Sequence, residues 1–278
     1  DCIRAFEYNP KHQRPAKITL TPAVALFMTE VGTQEVTNML KEIRTVVRTP
    51  EDEDHRLRSL SQEISLLVLD LLEDIMSDFN DTISEYGQKI PLMEDIIQVF
   101  LTFLSSHQSI RFVHSLYASL RSFVHKYSKV RFLGNNSYCG DLCSRLLLHC
   151  NIPDPRLNIE ASTLIYILLK LNQKETKSFG RTRIQLITSL SKLVNDNEIK
   201  EDISLNFSFQ RIAQYALHSY SLLNHRDIDQ ETQYKVDDLR ASYNHARFCR
   251  GIEGLSKTLS NILRDTLQLN ALKQSADN

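Results

Sequence analysis

Apolar residues recur at helical spacing along most of the chain. Val36, Leu40, Ile43 and Val47 predict a helix over 33–47. From Ser61 the pattern becomes regular. Ile64, Leu67, Val68, Leu71, Leu72, Ile75 and Phe79 form one broad stripe. Pro91 suits a helix first turn, and Leu92, Ile96, Val99, Phe100, Phe103 and Leu104 follow it. Ile110, Val113, Leu116, Tyr117, Leu120, Phe123, Val124 and Tyr127 make the next stripe, which stops before the turn Gly134-Asn135-Asn136-Ser137.

The pattern then repeats. Cys139, Leu142, Cys143, Leu146, Leu147 and Cys150 face one way, and Pro153-Asp154-Pro155 breaks the chain. Leu157, Ala161, Leu164, Ile165, Leu168 and Leu171 resume it. Ile184, Ile187, Leu190, Leu193 and Val194 come next, then Phe209, Ile212, Ala213, Ala216, Tyr220 and Leu223. A last helix carries Leu255, Leu259, Ile262, Leu263, Leu267 and Leu269.

Helix pairs start near Pro91, Ser137 and Arg181. That step lies within the ~40–47 residues of HEAT and armadillo repeats. One helix pair cannot bury its apolar face alone, so neighbouring pairs stack. The expected fold is all-α, an armadillo/HEAT-like helical repeat solenoid. A globular bundle is disfavoured because no stripe looks long enough to run the length of one.

Three regions are expected. Residues 1–60 form an irregular part, broken by Pro10, Pro15 and Pro22, with one helix and an acidic loop at Thr49-Pro50-Glu51-Asp52-Glu53-Asp54. Residues 61–250 hold the repeats. Residues 251–278 form a helix that leads onward.

Composition removes several functions. With 7 Gly and 7 Pro in 278 residues, the turn glycines of sandwiches, barrels and doubly wound sheets are missing. A net charge of -1 gives no footprint for nucleic acid. The apolar runs Leu66 to Leu69 and Leu164 to Leu169 are far shorter than the ~18 residues of a transmembrane helix. The five cysteines are odd in number and lie mostly among leucines, which indicates reduced thiols in a cytoplasmic compartment.

Candidate chemistry is sparse. Neither a phosphate-cradling Gly-x-x-x-x-Gly-Lys-Ser/Thr loop nor a His-Glu-x-x-His pair occurs. Cys143 and Cys150 flank His149, but structural zinc wants four ligands at tight paired spacing, so core packing is expected. Glu73-Asp74 and Asp237-Asp238 lack the second carboxylate cluster of a magnesium-diphosphate site and read as solvated faces. Lys170, Lys174, Lys177, Arg181 and Arg183 form a basic cluster, open to an acidic partner or a phospholipid head group but read first as an exposed turn. No catalytic, cofactor-binding or metal-binding residue is assigned, and no cofactor is expected.

One stretch resembles a known family. Phe179, Arg181, Gln185, Ser189, Ser191 and Leu193 match a pattern of the Dock (dedicator of cytokinesis) family, roughly Phe-x-Arg-x-x-x-Gln-x-x-x-Ser-x-Ser-x-Leu. Ile159 to Leu169 is similar to the family's preceding helix, and Leu169-Lys170-Leu171-Asn172 varies its ending conservatively. Leu259 to Thr266 resembles the helix that opens the family's exchange domain. The resemblance runs from about Ser61 to the end and leans to the zizimin-like branches.

The resemblance implies a guanine-nucleotide exchange factor for Rho-type GTPases, with exchange in a C-terminal domain and membrane recruitment by a separate upstream domain. This chain would be the helical scaffold between them. It would be non-catalytic alone and would meet the GTPase only through its parent. The alternative is an armadillo or HEAT adaptor that binds a protein or peptide in its groove. An all-helical metal-dependent enzyme is the third reading.

Overall fold

A computed structural model describes residues 50–86, 91–106, 109–129, 138–224 and 234–276. The helix expected over 33–47, the prolines before it and the turn at Gly134 to Ser137 lie outside the described residues. Within them are α1 (Pro50–Asp78), α2 (Asn80–Tyr86), α3 (Pro91–Ser105), α4 (Ile110–Lys126), α5 (Tyr138–Asn151), α6 (Pro155–Thr176), α7 (Gly180–Asn195), α8 (Ile203–Asn224) and α9 (Tyr234–Ala276). The fold is all-α, as the spacing predicts, and no strand occurs among the described residues.

The chain divides into two compact units, Asp1–Ser119 and Leu120–Asn278. In the first, the acidic segment expected to loop out is the opening of α1, which starts at Pro50. Proline fits a helix first turn, and carboxylates favour a helix N-terminus, so local chemistry prefers helix there. The buried row of α1 is Ser61, Ser65, Leu69, Leu72 and Met76. Leu67 and Phe79, assigned to the buried stripe, are exposed. A stripe this broad leaves the choice of face to the neighbours. Ile83 of α2 is fully buried. On α3, Met93, Ile96, Ile97, Phe100, Phe103 and Leu104 are buried, and Phe103 packs on Phe112 of α4 with ring centroids 4.8 Å apart. Ser109 caps α4, its Oγ accepting the Phe112 N–H at 3.2 Å.

In the second unit α5 packs on α6 and α7, α6 on α8, and both α7 and α8 on α9. Alternate helices therefore lie side by side, α5 with α7 and α6 with α8, as stacked helix pairs require. Pair-opening helices begin at Pro91, Tyr138 and Gly180, close to the expected starts. Asp154 caps α6 by accepting the Arg156 N–H at 2.9 Å, with Pro155 next to it. The helix closes at Lys177 in the left-handed conformation (φ 60°).

Two expectations change here. Ile184, placed in the stripe of α7, is exposed, and its buried face is Thr182, Leu186, Ser189, Leu190, Leu193 and Val194. The length argument against a bundle also fails, since α1 has 29 residues and α9 has 43. The packing order, not helix length, carries the repeat architecture. Helix α9 begins at Tyr234, well before the helix expected from 251, and its buried row is Phe248, Ile252, Leu255, Leu259 and Leu263. It packs on α8, as expected, and also along α7.

Candidate functional site

The residues that looked most like chemistry serve packing. Cys139, Cys143 and Cys150 are buried thiols along the α5 core face, and Cys249 of α9 is another. Among the described residues no group of three His, Cys, Asp or Glu could hold a metal ion. Burial pushes the Cys150 thiol up from 9.0 to about 12, against the opposing pull of the Ser208 hydroxyl and Arg211. The neutral thiol is therefore the native form. Cys150 should resist alkylation at pH 8, because the thiolate is the nucleophile. Stability should fall as pH rises from 9.0 towards about 12, since the unfolded thiol ionises first. Rapid modification of native protein by iodoacetamide at pH 8, read by mass spectrometry, would contradict this burial.

Glu73 and Asp74 are exposed on α1. Asp237 and Asp238 fall in the first turns of α9, with their side chains outside the described set. In the basic cluster, Lys170, Lys174, Lys177 and Arg183 are exposed and Arg181 is half-buried. These residues surround the α6–α7 connection, as the loop reading expects.

Two buried polar networks, unforeseen in the sequence, fix that connection and its neighbours. The first centres on Asn158 of α6. Its Nδ2 donates to the carbonyls of Cys150 (2.5 Å) and Ser204 (3.4 Å), and its Oδ1 accepts from Arg211. Arg211 also reaches the Ser162 hydroxyl at 3.4 Å, and the Ser208 hydroxyl donates to the Ser204 carbonyl at 3.0 Å. One side chain thus ties the end of α5 to α6 and α8.

The second network centres on Asn172. Its Oδ1 accepts both the Thr182 N–H and the Thr182 hydroxyl at 3.2 Å. Its Nδ2 donates to Thr176 Oγ1 at 3.1 Å. Phe179, at the N-cap position of α7, makes no side-chain cap. Asn172 therefore satisfies a first-turn N–H of α7 from the preceding helix. Phe179 instead packs edge-on to Phe248 of α9, with centroids 5.5 Å apart. Its ring lies where a Cβ on Gly251 would stand, so glycine there admits the ring.

The family-like stretch now has a physical account. Gln185 Oε1 occupies the space beside Gly140 of α5, and Ser189 donates to the Gly140 carbonyl at 3.1 Å. Leu193 is buried. Phe179 faces α9, while Gln185 and Ser189 face α5. Through Phe179, Gln185 and Ser189 the pattern fixes how α7 lies between its neighbours. The paired glycine Gly140 and the caps Asn158 and Asn172 were the legible signals missed. Asn172 stood in the family-like ending, and buried asparagines in apolar helices commonly mark such bonds.

Helices α5 to α9 together define a helical-repeat protein whose marked side chains build the array. Comparison with known proteins agrees with the resemblance. The chain is 34% identical to dedicator of cytokinesis protein 9 of Mus musculus over 141 residues, 50% of this chain and 7% of that protein. It is 30% identical to mouse dedicator of cytokinesis protein 7 over 158 residues, 57% of this chain and 7% of that protein. With mouse dedicator of cytokinesis protein 6 the identity is 31% over 174 residues, 62% of this chain and 8% of that protein. These matches support a dedicator of cytokinesis family protein. The chain spans less than a tenth of the length of these three relatives. No family model and no solved structure matches it. Among the described residues no helix is long and apolar enough to cross a membrane.

Proposed function

We propose that this chain is a helical scaffold segment of a Rho-family GTPase exchange factor, supporting and regulating an adjacent exchange domain without catalysing exchange itself. The similarity to dedicator of cytokinesis proteins over half of the chain carries this reading. The packing roles of Phe179, Gln185 and Ser189 support it, because these three family-like residues are spent on the array. In this reading residues 61–250 form the repeats, the part of α9 after 251 leads to the exchange domain, and the parent is cytoplasmic. The GTPase is met through the parent, and other domains bring that parent to membranes.

Helix α9 is the coupling element. Asn270 Nδ2 donates to the Val194 carbonyl at 2.9 Å at the end of α7, while Phe248 meets Phe179 at its start. The helix is thus clamped along α7, and a shift of the array moves it as a rod. Fluorescent-nucleotide release from Rac- and Cdc-type GTPases tests the reading. Residues 1–278 alone should give no acceleration. An exchange region joined to the chain should change its rate on Leu263→Asp with Leu267→Asp, and the isolated exchange region should stay active. Acceleration by residues 1–278 alone would overturn the non-catalytic assignment. An unchanged rate in the joined protein would reduce α9 to a terminal cap. The alternative reading, a repeat adaptor that binds a protein segment, is favoured by exposed apolar residues on α8, including Ile203, Phe207 and Leu217.

A further inference from the structure

At one end of the second unit three chain segments meet around the Cys150 carbonyl. It accepts Asn158 Nδ2 of α6 at 2.5 Å and the Ser208 hydroxyl of α8 at 3.4 Å. Asn158 Nδ2 also reaches the Ser204 carbonyl, so the first turns of α6 and α8 are locked side by side. The exposed side chains there are apolar. Ile159 is 44% exposed, Ile203 64% and Phe207 61%. Ile159 lies one turn before Thr163, which bonds Tyr215 of α8. Phe207 lies one turn before Arg211, which bonds Asn158 of α6. Both therefore border the line where α6 and α8 meet.

The connection that leads into α8 is acidic. Residues 196–202 carry Asp196, Glu198, Glu201 and Asp202 against Lys200. Its backbone is pinned. Ile199 is buried, Asn197 takes the left-handed conformation (φ 58°), and the Glu198 and Ile199 N–H groups both donate to the Leu193 carbonyl. The carboxylates are thus displayed from a fixed loop, which lowers the ordering cost of meeting a partner. Asp154 caps α6 and pairs with Arg156, and Asp202 accepts from Asn206 Nδ2 at 3.2 Å, so both serve their helix starts. The outward charge rests on Asp196, Glu198 and Glu201, all exposed. No ion pair engages these three among the described residues. Arg211, the cation nearest Phe207 on α8, turns inward to Asn158 and Ser162.

We infer that the first turns of α6 and α8 dock a basic polypeptide segment that seats one bulky apolar side chain against Phe207 and Ile159. The exposed apolar side chains call for an apolar anchor, and the carboxylates beside them select cationic flanks. A phospholipid surface and a nucleic acid both present negative charge, which the same carboxylates repel. A second copy seated two-fold on this end would bring its own acidic connection against this one. Phe207 stands about 6 Å along the axis from Ile203, where α8 begins. An extended segment covers that in about two residues, so its cations should fall about two to four residues from its anchor. Such docking deepens the adaptor reading of the α8 surface and rests on it, whereas nucleotide release tests the scaffold reading separately.

Selection of displayed random peptides, about twelve residues long, on the immobilised 278-residue chain tests it. Enriched sequences should pair a Phe, Leu, Ile or Trp with two or more Lys or Arg about two to four residues away. The enriched peptide, labelled with fluorescein, should bind in an anisotropy titration, and more weakly as salt rises. Phe207→Ser, and separately Glu198→Lys with Glu201→Lys, should each weaken binding about tenfold or more. Leu217→Ser, farther along α8, should leave it within about twofold. These side chains are exposed, so an unchanged thermal melt shows that the fold is kept. Absence of enrichment, enrichment of acidic sequences, or affinity unmoved by either of the first two variants would overturn the inference. Co-sedimentation with phosphatidylserine vesicles that is lost in Phe207→Ser would overturn it in favour of a membrane contact.

Discussion

Leu164→Ala and Leu168→Ala should each destabilise the chain by about 2–5 kcal/mol in a urea melt. Both leucines are fully buried in α6, the helix that packs against both α5 and α8. Truncation removes apolar contact and leaves a cavity that a close-packed interior closes only in part. Leu217→Ala, on the outer face of α8 where the side chain is 53% exposed, should stay within about 0.5 kcal/mol. The contrast holds residue type constant and varies only burial. Equal losses at the three positions would show that the face assignment of α6 and α8 is wrong.

Asn172→Ala should cost about 1–3 kcal/mol, although the residue is neither apolar nor charged. Its fully buried amide answers the Thr182 N–H, the Thr182 hydroxyl and the Thr176 hydroxyl. Alanine leaves the Thr182 N–H and hydroxyl, buried at the start of α7, without that partner, and their desolvation penalty remains unmet. Asn172→Asp would keep the two acceptor bonds to Thr182 but lose the donor to Thr176. The new carboxylate would sit in a fully buried site, so at neutral pH the loss in stability should match or exceed that of alanine. Hydrogen exchange at Thr182 should quicken in the alanine variant before exchange at Leu190, because the defect lies at the helix start. Stability equal to wild type would mean that another group caps α7.

The sequence by itself determined that the described chain is helical and where α3 to α8 lie, but not where α1 or α9 begins. The helical spacing shows in the buried rows of α3 and α5, where a stripe between polar flanks admits one face, whereas α6 is buried on most of its circumference. Breaks at Pro155 and Pro91 were equally legible, since proline lacks the N–H that a helix interior needs. The family-like pattern from Phe179 to Leu193 was also visible, though not its purpose.

Only the tertiary structure decided which face wins where a helix is apolar on several sides. Leu67, Phe79 and Ile184 fit a helical stripe as well as Leu69, Met76 and Leu186 do, but the packed neighbours bury the second set. On α7 Gln185 lies where a Cβ on Gly140 would stand and Ser189 donates to the Gly140 carbonyl, so this face meets α5 while Ile184 is exposed. The acidic segment after Thr49 misled as a loop, because charge alone does not oppose a helix start and carboxylates stabilise one. The Asn158 and Asn172 networks join residues up to 53 positions apart, as in Arg211 with Asn158. Such partners meet only once helices have stacked, so an asparagine among apolar residues is legible in the sequence but its distant partner is not.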